Sequence, residues 1–424
     1  MTTRTVHAGH GFTAPGFEPV RDLLAASPKI GAGGAAFAAY VDGELVLDVH
    51  AGNARLDQPW ESDTLAVLMS VTKSFMAFCL QILDDRGELD IEAKIGRYWP
   101  EFATNGKEDI TVRQVQMHSA GLIRVPPQLR LMEGDGEGWD AYDEIADALA
   151  GESPVWEPGT DHGYHALTYG WLAGEILRRI TGMSPGAFFR QEVVDPLGLD
   201  IHLGLDDAAF ARLAHIIDFD PDDMALTQRL LMPRLTKATT DPATYAGMAF
   251  GGTGGGHSVI SDVVALTEHG GILRAEVMSS SACSTAAALA RFWSVLALGG
   301  EVDGRRLVSP DSIRKWTTPV IRGGDRVLTQ SLPGWMVKLG KLEKVTAVTR
   351  TLGYLYNDAP AKGPRAFGPT PTAFGGLGAG GQVGFADPVR RVSGGFVRNA
   401  LTHKPDLGNE VIAAFYECLD RRGS

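Results

Sequence analysis

The first patterned stretch of the chain is a pair of short apolar runs, residues 33–41 and 44–50, separated by Asp42-Gly43. Apolar runs of strand length around an Asp-Gly pair predict a β-hairpin, because both turn positions need a positive φ that Asp and Gly tolerate. From Ser70 the period changes. Residues 71–86 spread Phe75, Met76, Phe78, Leu80, Ile82 and Leu83 around most of a helical circumference and stop at Gly87, which suits a left-handed cap. A helix apolar almost all round is expected at the centre of the fold. Further helices are predicted over 111–120, ending at Gly121, and over 166–181, ending at Gly182. Ser184-Pro185 opens another, with a cap residue followed by proline at the first helical position. A helix start at 309–316, a second hairpin over 381–386 and 391–397, and a closing helix over 410–421 complete the pattern.

Strands at both ends of the chain around a helical middle predict an α+β architecture whose sheet is assembled from distant segments. The expected division is a discontinuous sheet domain, 1–65 and 251–424, and a mainly helical domain, 66–250. The glycine run at 250–256 is expected to be the loop that brings the chain back to the sheet.

Composition narrows the function classes. Lys+Arg 39 against Asp+Glu 51 gives a net charge of −12, which disfavours nucleic acid and anionic membrane surfaces as partners. Cys79, Cys283 and Cys418 are too scattered for a disulfide framework or a zinc site and read as free thiols, with Cys79 as inert core. The first residues lack a signal-peptide pattern, and no apolar run approaches the ~20 residues of a membrane span. A cytoplasmic protein is expected, and homo-oligomerisation is left open.

The sharpest chemical feature is Ser70-Val-Thr-Lys73, at the start of the buried helix. Residues three apart on a helix are neighbours, about 5–6 Å between Cβ atoms, which brings an amine within reach of a hydroxyl. The free N–H groups of a helix N-terminus favour developing negative charge, and an apolar setting pushes a lysine toward its neutral form. A neutral amine beside a serine is a base beside a nucleophile. The same spacing recurs at Ser312 and Lys315, where it reads as a solvated helix face. A second element is Trp156-Glu-Pro-Gly159 followed by Tyr164, which stands just before a helix, where its hydroxyl can relay a proton. His162 and His165 lack a third ligand at metal spacing, so no metal and no cofactor is expected. The third is Phe374-Gly-Gly-Leu-Gly-Ala-Gly-Gly381, whose glycines permit close backbone approach and whose N–H groups suit an oxyanion. A Gly-x-Ser-x-Gly elbow does not occur.

Taken in order, these elements resemble the serine β-lactamase and penicillin-binding-protein superfamily, in its class C-like branch and especially the family VIII carboxylesterases. The matching residues also include Asp85-Arg-Gly-Glu-Leu-Asp90, Tyr98-Trp-Pro-Glu-Phe102, Asn105-Gly-Lys107, His118-Ser-Ala-Gly-Leu122, Tyr164-His-Ala-Leu-Thr168, Gly376-Leu-Gly378 and Phe385-Ala-Asp-Pro388. The resemblance implies a β-lactamase-like fold: an antiparallel sheet flanked by helices, packed on an all-α domain, with the active site between them. It implies Ser70 as nucleophile, Lys73 as general base and Tyr164 as proton relay. The backbone N–H groups of Ser70 and Ala379 would form the oxyanion hole. Gly376, Leu377, Gly378 and His165 are the expected substrate-binding positions. Class C β-lactamases have Asn where this chain has Ala166, and begin the third motif with Lys where this chain has Gly376. The expected activity is therefore a serine carboxylesterase acting on a small-molecule ester through an acyl-enzyme. Amide hydrolysis, acyl transfer, thioester cleavage and a non-catalytic binding protein are the alternatives.

Overall fold

The computed structural model describes residues 10–129, 131, 138–218, 226–268, 270–330, 347–357, 365–402 and 406–423. Residues 1–9, on which the signal-peptide reading rests, lie outside them. The Asp42-Gly43 hairpin forms as expected, with strands Gly34–Val41 and Glu44–Arg55 joined by a turn in which Asp42 has φ 52° and Gly43 φ 86°. Among the described residues it belongs to a ten-stranded antiparallel sheet, in which the short Gln58–Pro59 strand pairs with the end of Glu44–Arg55. One edge is His10–Thr13, which pairs with Glu44–Arg55. Beyond Gly34–Val41 come Val392–Arg398, Gln382–Asp387, Phe374–Gly378, Leu355–Tyr356, Ala347–Arg350 and Ile321–Gly324 at the other edge. The first and last parts of the chain thus meet at the centre, where Phe37 opposes Phe396.

Both faces of this sheet are covered. In Gly34–Val41 the side chains alternate between two cores: Ala36 and Ala38 belong to one, Ala35, Phe37 and Ala39 to the other. That is why the run is small and apolar throughout instead of alternating with polar residues. Helices Glu18–Ala26 and Asp406–Gly423 cover one face through Val20, Leu24, Val411 and Phe415. Helix Ala286–Ala297 lies on the other, and behind it sits helix Thr72–Asp85, buried from Thr72 through Leu83. Its end follows the sequence signal, with Arg86 as cap and Gly87 at φ 74°.

Helix Thr168–Thr181 stops at a left-handed Gly182, and the Ser184 side chain caps Pro185–Phe189, both as expected. Two expectations need correction. The 111–120 helix is only Val112–Gln116, with a Thr111/Gln114 capping box; it ends before His118, which takes φ 58°. The glycine run at 250–256 leads not to the sheet but to two short helices, Val263–Glu268 and Gly271–Arg274. The chain rejoins the large sheet only at Ile321. All three cysteines are buried and unpaired. Among the described residues no helix is long and apolar enough to cross a membrane.

Phe292 joins the sheet-covering helix to the central one. Its ring meets Phe75 at 4.7 Å and Phe78 at 5.4 Å, with Phe189 at 6.3 Å. Phe292→Ala should therefore destabilise the protein by about 3–5 kcal/mol. Denaturant midpoints check this; a loss below about 1 kcal/mol would show that the cluster collapses around the gap.

Candidate active site

Ser70 lies on a single 3-10 turn, Met69–Val71, immediately before the central helix begins at Thr72. The turn is strained, since Met69 has φ 50°, a conformation that costs a non-glycine residue about 1–3 kcal/mol. Surrounding bonds over-determine it. Leu68 N donates to Ala282 O at 2.8 Å, Thr72 Oγ1 to Met69 O at 2.6 Å, and Ala282 N to Thr72 Oγ1 at 3.2 Å. A short ladder pairing Ala66–Val67 with Cys283–Ser284 anchors both partners. The Ser70 N–H thus sits in a first turn, where backbone donors have no helical acceptor.

Tyr164 reaches this turn from the helical region, its hydroxyl donating to Ser70 Oγ at 2.5 Å. Its main chain is held by two distant segments. Gly163 N donates to His118 O at 3.0 Å, and Tyr164 N donates to Asp325 Oδ1 at 3.0 Å. The ring packs beside His118 at 5.3 Å and Phe250 at 6.4 Å. Burial pushes the phenol up to about 12, so it is a proton-bearing donor at neutral pH.

Lys73 is buried one helical turn on, its Nζ 4.7 Å from the centre of the Tyr164 ring. Burial, and then the charge of Arg350, hold its amine well below the usual lysine range. Its Nζ donates to Ala166 O at 2.7 Å and to Ser279 O at 2.9 Å. A neutral amine has two N–H bonds and one lone pair. With both N–H bonds spent on carbonyls, the lone pair remains to accept a proton. The Ala166 position, where asparagine was noted as the class C residue, thus contributes through its carbonyl.

The third motif is brought against the same turn. Strand Phe374–Gly378 passes so close that a Cβ at Gly376 would lie 2.6 Å from Ser74 Oγ, and one at Gly378 only 2.4 Å from Leu68 O. With glycine at 376 the strand presents no cation where class C enzymes have lysine. Leu377, pointing the opposite way by the alternation of a strand, is 39% exposed. Ala379 follows as the second residue of the turn closed by Gly381 N donating to Gly378 O at 3.2 Å, a position whose N–H the turn does not use.

His165 must be corrected as a substrate-binding position. It is fully buried, and both ring nitrogens are occupied: Nδ1 lies 2.7 Å from Gly163 O and Nε2 accepts from Leu122 N at 3.1 Å. It ties the Tyr164 segment to residues 118–122. The second Ser-x-x-Lys match is a solvated face only at its lysine, which is exposed. Ser312 is buried, and Lys315 Nζ is held by the Asp84 carboxylate at 2.7 Å, so it is an ion-pair partner. Two residues near the site were missed in the sequence: Arg350, whose guanidinium lies 5.6 Å from the Tyr164 ring centre, and its partner Asp325. No local motif marks either.

Fold and site together describe a serine–lysine–tyrosine cluster between a large antiparallel sheet and a helical layer. The Beta-lactamase family profile matches residues 20–416, and the chain belongs to that family. It is 32% identical over 388 residues to the Esterase/beta-lactamase LipL of Mycobacterium tuberculosis, covering 90% of this chain and 80% of that protein. A crystal structure of a family VIII carboxylesterase superposes with TM-score 0.79 and 29% identity, over 97% of this chain and 99% of the other. A penicillin-binding-protein homologue from Caulobacter crescentus gives 0.76 and 31% identity, with the same coverage.

Buried histidines give the fold a pH signature. Burial holds His165 down at about 4, and His118 well below the usual histidine range. A depressed folded pKa means that the unfolded chain takes up the proton first, so stability is lost as pH falls below about 6.5. The melting temperature should therefore drop between about pH 6.5 and pH 5, above the range where carboxylates titrate. Each proton taken up costs about 1.4 kcal/mol per pH unit. A flat profile through that window would show that these histidines are protonated in the folded state.

Proposed function

We propose that this chain is a serine esterase that cleaves neutral carboxylic esters through an acyl-enzyme on Ser70. The observation that carries this reading is the 2.5 Å bond from the Tyr164 hydroxyl to Ser70 Oγ, beside a buried Lys73 Nζ held by two carbonyls. In acylation, Ser70 Oγ attacks the ester carbonyl as its proton passes to Lys73 Nζ. The N–H groups of Ser70 and Ala379 stabilise the oxyanion. When the tetrahedral intermediate collapses, the departing alkoxide takes the Tyr164 proton and Lys73 returns one to the phenolate. Water then repeats the cycle on the acyl-enzyme.

Esters are favoured over β-lactams by charge. A lactam carboxylate needs a cation; Gly376 supplies none, and Arg350 is engaged by Asp325 at 2.9 Å. The esterase names of LipL and of the family VIII structure agree with that preference. Lactam hydrolysis is the second reading, prompted by the other half of the name LipL carries.

A fluorophosphonate probe should label the wild-type protein and Ser312→Ala, but not Ser70→Ala; labelling that persists in Ser70→Ala removes the assignment. Short-chain aryl esters should be turned over far faster than a penicillin, and comparable kcat/KM values would favour the lactam reading.

Lys73→Met and Tyr164→Phe separate the two proton transfers, each typically worth ~10²–10⁴-fold. Lys73→Met should depress all esters alike. Tyr164→Phe should cost less with p-nitrophenyl acetate, whose leaving group needs little protonation, than with an alkyl acetate. Equal losses on both esters would make Tyr164 a residue that only orients Ser70.

A further inference from the structure

The cation that Gly376 cannot carry has a counterpart elsewhere in the sheet. Arg350 is the last residue of strand Ala347–Arg350, opposite Ile321 on the edge strand. Its side chain is buried, and Nη2 donates to Asp325 Oδ2 at 2.9 Å. Its Nε is also buried and has no hydrogen-bond partner among the described residues. The guanidinium carbon stands 5.6 Å from the centre of the Tyr164 ring.

Asp325 is fully buried and uses its two oxygens differently. Oδ2 holds Arg350, whereas Oδ1 accepts the N–H groups of Tyr164, Val327 and Leu328 at 3.0, 3.0 and 3.1 Å. Next to it, Arg326 N donates to His162 O at 3.0 Å. The corner 325–326 therefore grips the Tyr164 segment at two backbone points, and Arg350 braces the ring. Burying an ion pair is a poor way to gain stability, because desolvation offsets much of the attraction. A pair placed here, bonded to the main chain of Tyr164 and beside its ring, calls for another explanation.

We propose that Arg350, clamped by Asp325, is the positioning residue of Tyr164 and the fixed positive charge of the site, a charge that strand Phe374–Gly378 does not carry. This rests on the assignment of Ser70, Lys73 and Tyr164 above. A cation near an aromatic ring orients it, and the planar fork of arginine can hold a carboxylate while doing so. The same charge acts on Lys73. The groups around that amine are the Tyr164 ring, His118, His165 and Arg350, with His162 and Asp325 beyond. Burial keeps His118 and His165 neutral near pH 7, so Arg350 is the cation that helps burial to keep Lys73 unprotonated. Without Arg350 the lysine would hold its proton to higher pH, and the acid limb of kcat/KM would move the same way.

The test uses the full chain, with p-nitrophenyl acetate and an alkyl acetate as matched substrates. Two variants are compared. Arg350→Met with Asp325→Asn removes both charges, so neither is stranded; Arg350→Lys keeps the charge but not the planar fork. In the double variant the acid limb should rise by about one pH unit, and the alkyl ester should lose about tenfold more rate than the aryl ester. In Arg350→Lys the limb should stay in place while the alkyl-to-aryl rate ratio still falls several-fold. The inference is overturned if both variants lower the two esters equally with unmoved limbs, whatever happens to the melting temperature. Should the double variant not fold, an unchanged rate ratio in Arg350→Lys overturns it alone. Probe labelling of Ser70→Ala keeps the two claims apart. If labelling persists there, the active-site reading fails; if it is lost while the Arg350 variants behave uniformly, only this inference fails.

Discussion

The arrangement depends on one backbone contact: strand Phe374–Gly378 against the turn at Leu68–Val71. The approach is tightest at Gly378, where a Cβ would lie 2.4 Å from the backbone oxygen of Leu68; at Gly376 the near atom is the Ser74 hydroxyl, which can turn aside. Glycine at 378 is thus the condition for the contact, and its benefit is positional. It packs the strand, and with it the turn that follows at Ala379, against the turn that contains Ser70. The strand itself carries no charged side chain. Nucleophile geometry and electrostatics are then supplied by different parts of the fold.

That division explains why burial matters so much here. The central helix is covered by the sheet layer on one side and by helix Thr168–Thr181 on another, so Lys73 lies out of water. An amine in that position gives up its proton readily, and the carbonyls of Ala166 and Ser279 hold it in place. The phenol beside it is pushed the other way by the same desolvation. One low-dielectric environment therefore lowers the amine and raises the phenol, the pairing that the proposed acyl transfer would use.

Local signals were legible in the sequence wherever one short segment contained the whole cause. Asp42-Gly43, Gly87, Gly182 and Ser184 each mark an element boundary through their own backbone preference, and each boundary is observed. Ser70, Lys73 and Tyr164 were legible because spacing and helix position carry their chemistry, and the fold brings the three together. What could not be read depends on partners far along the chain. Arg350 and Asp325 meet Tyr164 only through the pairing of two strands at the sheet edge. His165 looked available because nothing local reveals that Leu122 N, 43 residues away, occupies its Nε2. Ser312 looked solvated because its helix is amphipathic, yet packing against the central helix buries it while Asp84 takes Lys315.

Charge is arranged on two scales that agree. The chain as a whole carries −12, which raises the cost of bringing an anionic substrate to its surface. Within the site, the buried cation is matched by a buried carboxylate, the lysine is pushed toward its neutral form and burial holds the histidines beside it below their usual range. An anionic ligand would therefore meet a repelling exterior and an interior in which the Arg350 guanidinium is already engaged by Asp325. A neutral ester pays neither cost, and its only charged stage is the transient oxyanion, which the two N–H dipoles meet without a counter-ion. On this reading, selectivity follows less from the shape of a pocket than from where the fold can and cannot put a positive charge.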